Sequence, residues 1–406
     1  MNNGDLAWVL IASSLIMLMT PAVGLFYGGM VRRKNVLSTL MLSFSVLVII
    51  TLQWVLFGYS LSFGPDINHL IGGLQWFGLS GVGLEPFADY AKTIPHLAYM
   101  LFQMKFAIIT PALISGAVVE RVRFSSFLIF CLLWTTLVYD PMAHWVWGVG
   151  GWLRNMGALD FAGGTVIHIT SGVAALAMAL VIRPRKGYGK VSMEPSSVLL
   201  TLLGAILLWF GWFGFNGGSA LASNGTAVYA MVTTNVAAAA AAVTWMGLSW
   251  QHSRPSIIGV ATGAVVGLVA ITPACGFVDI PSAIIIGAVG ALISYYCIQL
   301  RNKLNIDESL DVWACHGMSG TWGAIATGIF ASKAINPAGA DGLIHGNVHL
   351  FGVQLLSVLI AWVFSFSATY LIAKAIDMTR GLSVGLPEEE VGLDISQHGE
   401  EAYAGL

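Results

Sequence analysis

Between Pro195 and Ser253 the chain carries no Asp, Glu, Lys or Arg. A soluble domain has about 25% charged residues spread along its length, so an uncharged run this long does not suit a water-facing surface. A bilayer accepts it, provided that every backbone N–H and C=O is satisfied internally, which favours helices of about 20 apolar residues. The polar Ser223–Thr226 segment (SNGT) divides the run into two such helices. The rest of the chain agrees, being 57% hydrophobic and 9% charged with a mean hydropathy of +0.80. The reading is an all-α polytopic membrane protein. A formal charge of −2 gives no electrostatic case for a nucleic-acid partner.

At that helix length, eleven transmembrane helices are expected near 6–28, 36–58, 97–119, 125–144, 161–182, 197–221, 227–251, 256–277, 281–300, 312–332 and 349–376. Most basic residues in the connections, among them Arg32, Arg33, Lys34, Arg121, Arg185, Arg301 and Arg380, fall on one side. Only Lys92, Arg154 and Lys333 fall on the other, with Lys105 inside a helix. Basic loops stay cytoplasmic, so the amino terminus is expected outside and the carboxyl terminus inside. MNNGD lacks the basic stretch of a cleavable signal, so the first helix is expected to stay in the mature chain. The organisation is a membrane domain, 1–380, and a tail, 381–406, whose acidic composition reads as a solvated end. GLFYGG at 24–29 resembles FGFNGG at 213–218, and an Asp-then-His pattern opens both the fifth and the tenth span. Five helices reverse orientation, so helices 1–5 and 6–10 are expected to form an inverted repeat, with a peripheral helix 11 and a path between the halves.

Two histidines sit inside these spans: His168 in DFAGGTVIH and His316 in DVWACH. An intramembrane titratable group costs several kcal/mol unless it faces a cavity or a partner. Each could bond a backbone carbonyl in a packed bundle, or the pair could ligate one haem. A proton relay or polar pore lining ranks first. At 1.5 Å per residue the two enter from opposite faces at different depths, so spacing alone does not prove contact. Asp160 and Asp311, ahead of them, read as helix caps, with a cation-ligand role as the alternative.

Aromatic residues gather near one mouth: Phe102 and Phe106 in LFQMKF, Trp145 and Trp147 in AHWVWG, and Trp209, Trp212 and Phe215 before Ser219 in WFGWFGFNGGS. Aromatic faces attract a small cation. An interfacial belt accounts for Trp145 and Trp152 but less well for Phe106 and Phe215, which have no polar handle. Glycine pairs at 28–29, 163–164 and 217–218 suit close helix packing. No GxxxxGK[ST] occurs, so no ATP-driven engine is visible. Cys131, Cys275, Cys297 and Cys315 lack CxxC spacing and read as reduced core residues. No metal site and no cofactor are expected.

DFAGGTVIHITSG, WFGWFGFNGGSAL, ITPACGFVDI, the DVWACHG helix and the terminal EEEVGLDISQHGEEAY together resemble the ammonium transporter family (Amt/Mep/Rh), prokaryotic Amt proteins in particular. The resemblance covers essentially the whole chain. It implies ammonium transport through a pore in each protomer of a homotrimer in the cell membrane, with no enzymatic activity. Phe106, Trp147 and Ser219, with Phe102 beside them, would recruit ammonium at an outer site. Phe106 and Phe215 would stack as a gate. His168 and His316 would be hydrogen-bonded in the pore, Trp212 would line it, and Asp160 would be a buried acid shaping the outer site. Ammonium would lose its proton near the gate and cross as ammonia; methylammonium is a further candidate substrate. Lys105 stands where an uncharged residue is expected. The tail resembles the segment that answers a PII-type signalling protein at the cytoplasmic face. The competing reading is an ammonium sensor with the same fold and little flux.

Overall fold

The computed structural model describes residues 1–403; the last three residues of the tail lie outside the described part. The chain is almost wholly helical. Nine helices among the described residues are long and apolar enough to cross a bilayer: α1 (Asn3–Met30), α2 (Arg33–Phe63), α3 (His96–Ala117), α4 (Phe124–Asn155), α5 (Gly164–Val181), α6 (Val198–Gly217), α7 (Gly225–His252), α9 (Ile280–Lys303) and α11 (Val348–Arg380). Between them lie the shorter apolar helix α8 (Ile257–Ile271) and α10, a π turn at Trp313–Met318 running into Ser319–Phe330. The face at which residue 2 bonds residue 93 is called the N face below, and the opposite one the C face.

The uncharged run forms α6 and α7, divided at Asn224, whose side chain caps α7 by accepting from the Ala227 amide. Helix α8 ends before the expected 277, because Pro273 has no N–H to continue the ladder. Helix α5 begins at Gly164 rather than 161, because residues 160–163 wrap around the Asp160 carboxylate. The connection after α2 holds two small antiparallel hairpins, β1 (Asp66–Ile67) with β2 (Ile71–Gly72) and β3 (Pro86–Phe87) with β4 (Ala91–Pro95).

Helix α1 packs along α6, α7 along α8 and α9, and α5 along α11. The histidine-bearing helices cross closely. A methyl group placed on Gly172 of α5 would lie 2.0 Å from the Gly317 amide nitrogen of α10, so only glycine permits this approach.

The C face is ionic. Glu120, 1% exposed, takes Arg32 at 2.8 Å and Arg185 at 2.7 Å, and Arg185 also holds Asp307 at 2.7 Å. Burial opposes ionisation of Glu120 and Asp307, but the neighbouring guanidiniums outweigh it and hold both carboxyls below their usual range. The tail is not solvated on this face. Glu389 pairs with Arg183 at 2.7 Å, and Asp394 accepts from the Leu37 and Ser38 amides at the start of α2. Val384 N–H donates to the Arg121 carbonyl.

Candidate functional site

Three cavities follow one another through the bundle. The N-face cavity, about 410 Å³, is lined by Phe102, Gln103, Phe106, Trp147, Asp160 and Ser219, and also by Tyr90, Tyr99 and Arg154. Below it lies a narrow cavity of about 10 Å³ among His168, Trp212, Phe215 and His316. That is at the ~10–15 Å³ limit for holding one water. A third cavity, about 290 Å³, opens toward the C face and shares Phe26, Tyr27, Val265 and His316 with the narrow one.

The ring of Phe106, which lines the first cavity, meets that of Phe215, which lines the second, with centroids 4.5 Å apart and an interplanar angle of 48°. The expected stack is therefore a tilted contact. Phe102 and Trp147 flank Phe106 at 4.9 and 6.0 Å. The Ser219 hydroxyl donates to the Phe215 carbonyl at 2.8 Å, which leaves its lone pairs free to accept. Trp147 is oriented by donating its Nε1–H to the Asp160 carbonyl at 2.9 Å.

The Asp160 carboxylate caps α5. One oxygen accepts from the Gly163 and Gly164 amides at 2.9 and 2.7 Å, the other from Thr165 and Val166 at 2.9 and 3.0 Å. A carboxylate offers about four acceptor sites, and four amides use them. The Asp160 carboxylate thus has no acceptor site left over for a ligand in the cavity.

His168 and His316 lie on the first turns of α5 and α10, both π turns. Their Nδ1 atoms are 3.2 Å apart, so the depth difference anticipated from span lengths does not separate them. One Nδ1–H donates and the other Nδ1 accepts. The donating ring then keeps a lone pair at Nε2 and the accepting ring an Nε2–H. His168 Nε2 is buried with no partner among the described residues. The Trp212 ring stacks on His168 at 5.4 Å and 22°, while its N–H is taken by Thr272 Oγ1 at 2.9 Å. The wall it presents is therefore apolar.

Asp311 does not cap α10 as expected. It pairs with Arg301 at 2.7 Å, and Glu308 accepts from the Trp313 amide at 3.2 Å. Lys105 lines none of the three cavities; it is half-buried, and its Nζ approaches the Met104 sulfur at 3.9 Å. Sequence reasoning missed Gln103, whose Oε1 is buried beside the N-face cavity with no partner among the described residues. Its i, i+3 spacing to Phe106 was the available signal.

The model of the ammonium transporter family matches residues 7–403. The chain belongs to the ammonium transporter family. An ammonium transporter of Bacillus subtilis is 50% identical over 99% of both chains. Ammonium transporter Amt1 of Archaeoglobus fulgidus is 50% identical over 99% of this chain and 100% of its own. Among solved structures, Mep2 of Candida albicans is similar at a TM-score of 0.91 and 38% identity, covering 99% of this chain and 91% of that one. A protein titled a sensor Amt protein matches at 0.88 and 28% identity, covering 98% of each chain. These relatives of the ammonium transporter family support ammonium transport across a membrane by this chain, and none of those named is an enzyme.

Proposed function

We propose that ammonium is captured in the N-face cavity, gives up its proton at the Phe106–Phe215 contact, and passes as ammonia through the narrow cavity between His168 and His316. The observation that carries this reading is the narrow cavity itself, too small for a hydrated ion and walled by rings. Carrying an ammonium-sized charge into a low-dielectric interior costs on the order of 20 kcal/mol in the Born limit. Deprotonating an amine with a pKa near ~10.4 costs about 4 to 5 kcal/mol at pH 7. The second route is cheaper by a wide margin.

Phe102, Phe106 and Trp147 would hold the cation by their faces, and the Ser219 oxygen would accept one of its N–H groups. The shared Nδ1 proton leaves the histidine pair with one acceptor and one donor nitrogen, which matches ammonia, itself both donor and acceptor. The pair offers a route for returning the proton.

We further read all eleven helical stretches as crossings, with the N face outside the cell and helices 1–5 and 6–10 as inverted repeats. The charge distribution of the loops supports the orientation, and the paired histidine-bearing π turns support the repeat. A homotrimer, and a PII-type partner meeting the docked tail at the C face, rest on the family resemblance. Transport is favoured over sensing by the 50% identity to proteins named transporters against 28% to the sensor.

Methylammonium uptake by proteoliposomes tests the reading. His168→Ala is expected to abolish or sharply reduce uptake and Phe215→Leu to weaken selectivity for ammonium. Unchanged, still selective uptake in both would overturn it.

A further inference from the structure

Trp147 is the last residue of the regular part of α4, and what holds this helix end is a third histidine, outside the site described. His144, one turn earlier, has no exposed side-chain surface. Its Nδ1 lies 3.0 Å from the Ser62 carbonyl and its Nε2 2.8 Å from Asp66 Oδ1 on β1. A carbonyl oxygen only accepts, so Nδ1 carries a hydrogen. A hydrogen must also lie between Nε2 and the carboxylate. The pair therefore holds one proton more than a neutral imidazole beside a free carboxylate.

Around this proton the β1–β2 hairpin is fastened to the turn after Trp147. His69 Nδ1 donates to the Gly150 carbonyl at 2.7 Å, and Trp145 Nε1 donates to the Leu70 carbonyl at 2.7 Å. Asp66 lies flat on that turn: a methyl group on Gly150, whose φ is +95°, would sit 2.5 Å from the Asp66 Cβ. Tyr90 O–H, which donates to the Phe63 carbonyl and accepts from the Val149 amide, closes the other side.

We infer that Asp66 and His144 are positioning residues for ammonium capture, their shared proton clamping the hairpin to the helix end that carries Trp147. The inference rests on the proposed role of Trp147. It predicts that breaking the Asp66–His144 contact weakens apparent affinity and not the conducting step.

The titratable groups around His144 are few. On the hairpin they are Asp66 and His69. On its own helix Asp140 reaches the Ser62 hydroxyl at 3.2 Å. Arg154 donates to the Trp147 carbonyl, and Asp160 lies beyond Trp147. The Tyr90 phenol is pushed up to about 12 by burial, which keeps it out of the working range. Burial alone would raise the Asp66 carboxyl, but the hydrogen bonds from His144 and the His69 amide hold it below its usual value.

Three variants in proteoliposomes separate the possibilities, with KM expressed in ammonium cation and measured at one pH. Asp66→Ala is expected to raise KM about three- to tenfold with Vmax nearly kept, the size of one lost intramolecular hydrogen bond of ordinary strength. Asp66→Asn can turn its amide to donate to a neutral His144 Nε2. It should therefore restore a near-native KM. Trp147→Leu is the control. If it raises KM while Asp66→Ala does not, or if Asp66→Asn raises KM as much as Asp66→Ala, the clamp is overturned and the capture site stands. If Trp147→Leu leaves KM unchanged, the capture reading and the clamp fall together. Should Asp66→Ala not fold, Asp66→Ser, too short to reach His144 Nε2, takes its place against Asp66→Asn.

Discussion

The two histidine-bearing helices, α5 and α10, begin alike in sequence, with an aspartate ahead of a histidine, and differently in electrostatics. At α5 the Asp160 charge is met, among the described residues, by four amide dipoles and by no basic side chain. At α10 Asp311 is paired with Arg301. Beside it, burial with the added charge of Asp311 pushes the Glu308 carboxyl up to about 7. One end of the conduit thus keeps an uncompensated negative charge beside an aromatic pocket, and the other is neutralised. In the proposed function this difference would give the two like histidine turns a direction for cation capture.

Breaking the α5 end should have the largest effect. Asp160→Ala strands four buried amides, and at about 1 kcal/mol or more for each the protein is expected to lose its fold or its transport outright, read by thermal unfolding and uptake. Asp160→Asn keeps one acceptor oxygen and should cost about 2–4 kcal/mol, with uptake reduced at least about tenfold.

Next in size is the crossing that brings the two helices together. Gly172→Ala forces the backbones apart at the Gly317 contact. Overpacking of this kind costs about 1–3 kcal/mol, and uptake should fall more than stability does, because the 3.2 Å histidine contact is disrupted.

The smallest effect belongs to the α10 end. Asp311→Asn leaves Arg301 bonded to the Ile306 and Glu308 carbonyls at 3.0 and 2.9 Å, so about 1 kcal/mol and uptake within about threefold of native are expected. An Asp311→Asn defect as large as that of Asp160→Asn would erase the proposed asymmetry.

Much of this was readable from the chain. Helices in lipid must satisfy their own backbone, so apolar length located the long helices closely, and the cost of burying a histidine singled out His168 and His316. The structure brings that pair together with Phe106, Phe215 and Trp212. What escaped depends on contacts between distant segments. Hydropathy reports length and not the i→i+5 ladder of a π turn, so the non-helical start before Gly164 was invisible. Glu308 displaced Asp311 as the acceptor at α10 because Arg301, on the preceding helix, claims the aspartate. The Thr272 that holds Trp212 and the Asp66 that meets His144 come from other elements, and no local spacing links them.

The most direct test of the central claim, that only a species able to shed its proton crosses, is the flux of potassium against ammonium through the native chain in proteoliposomes. The account predicts ammonium uptake with potassium flux no greater than in liposomes without protein. Potassium moving at a rate comparable to ammonium would contradict it.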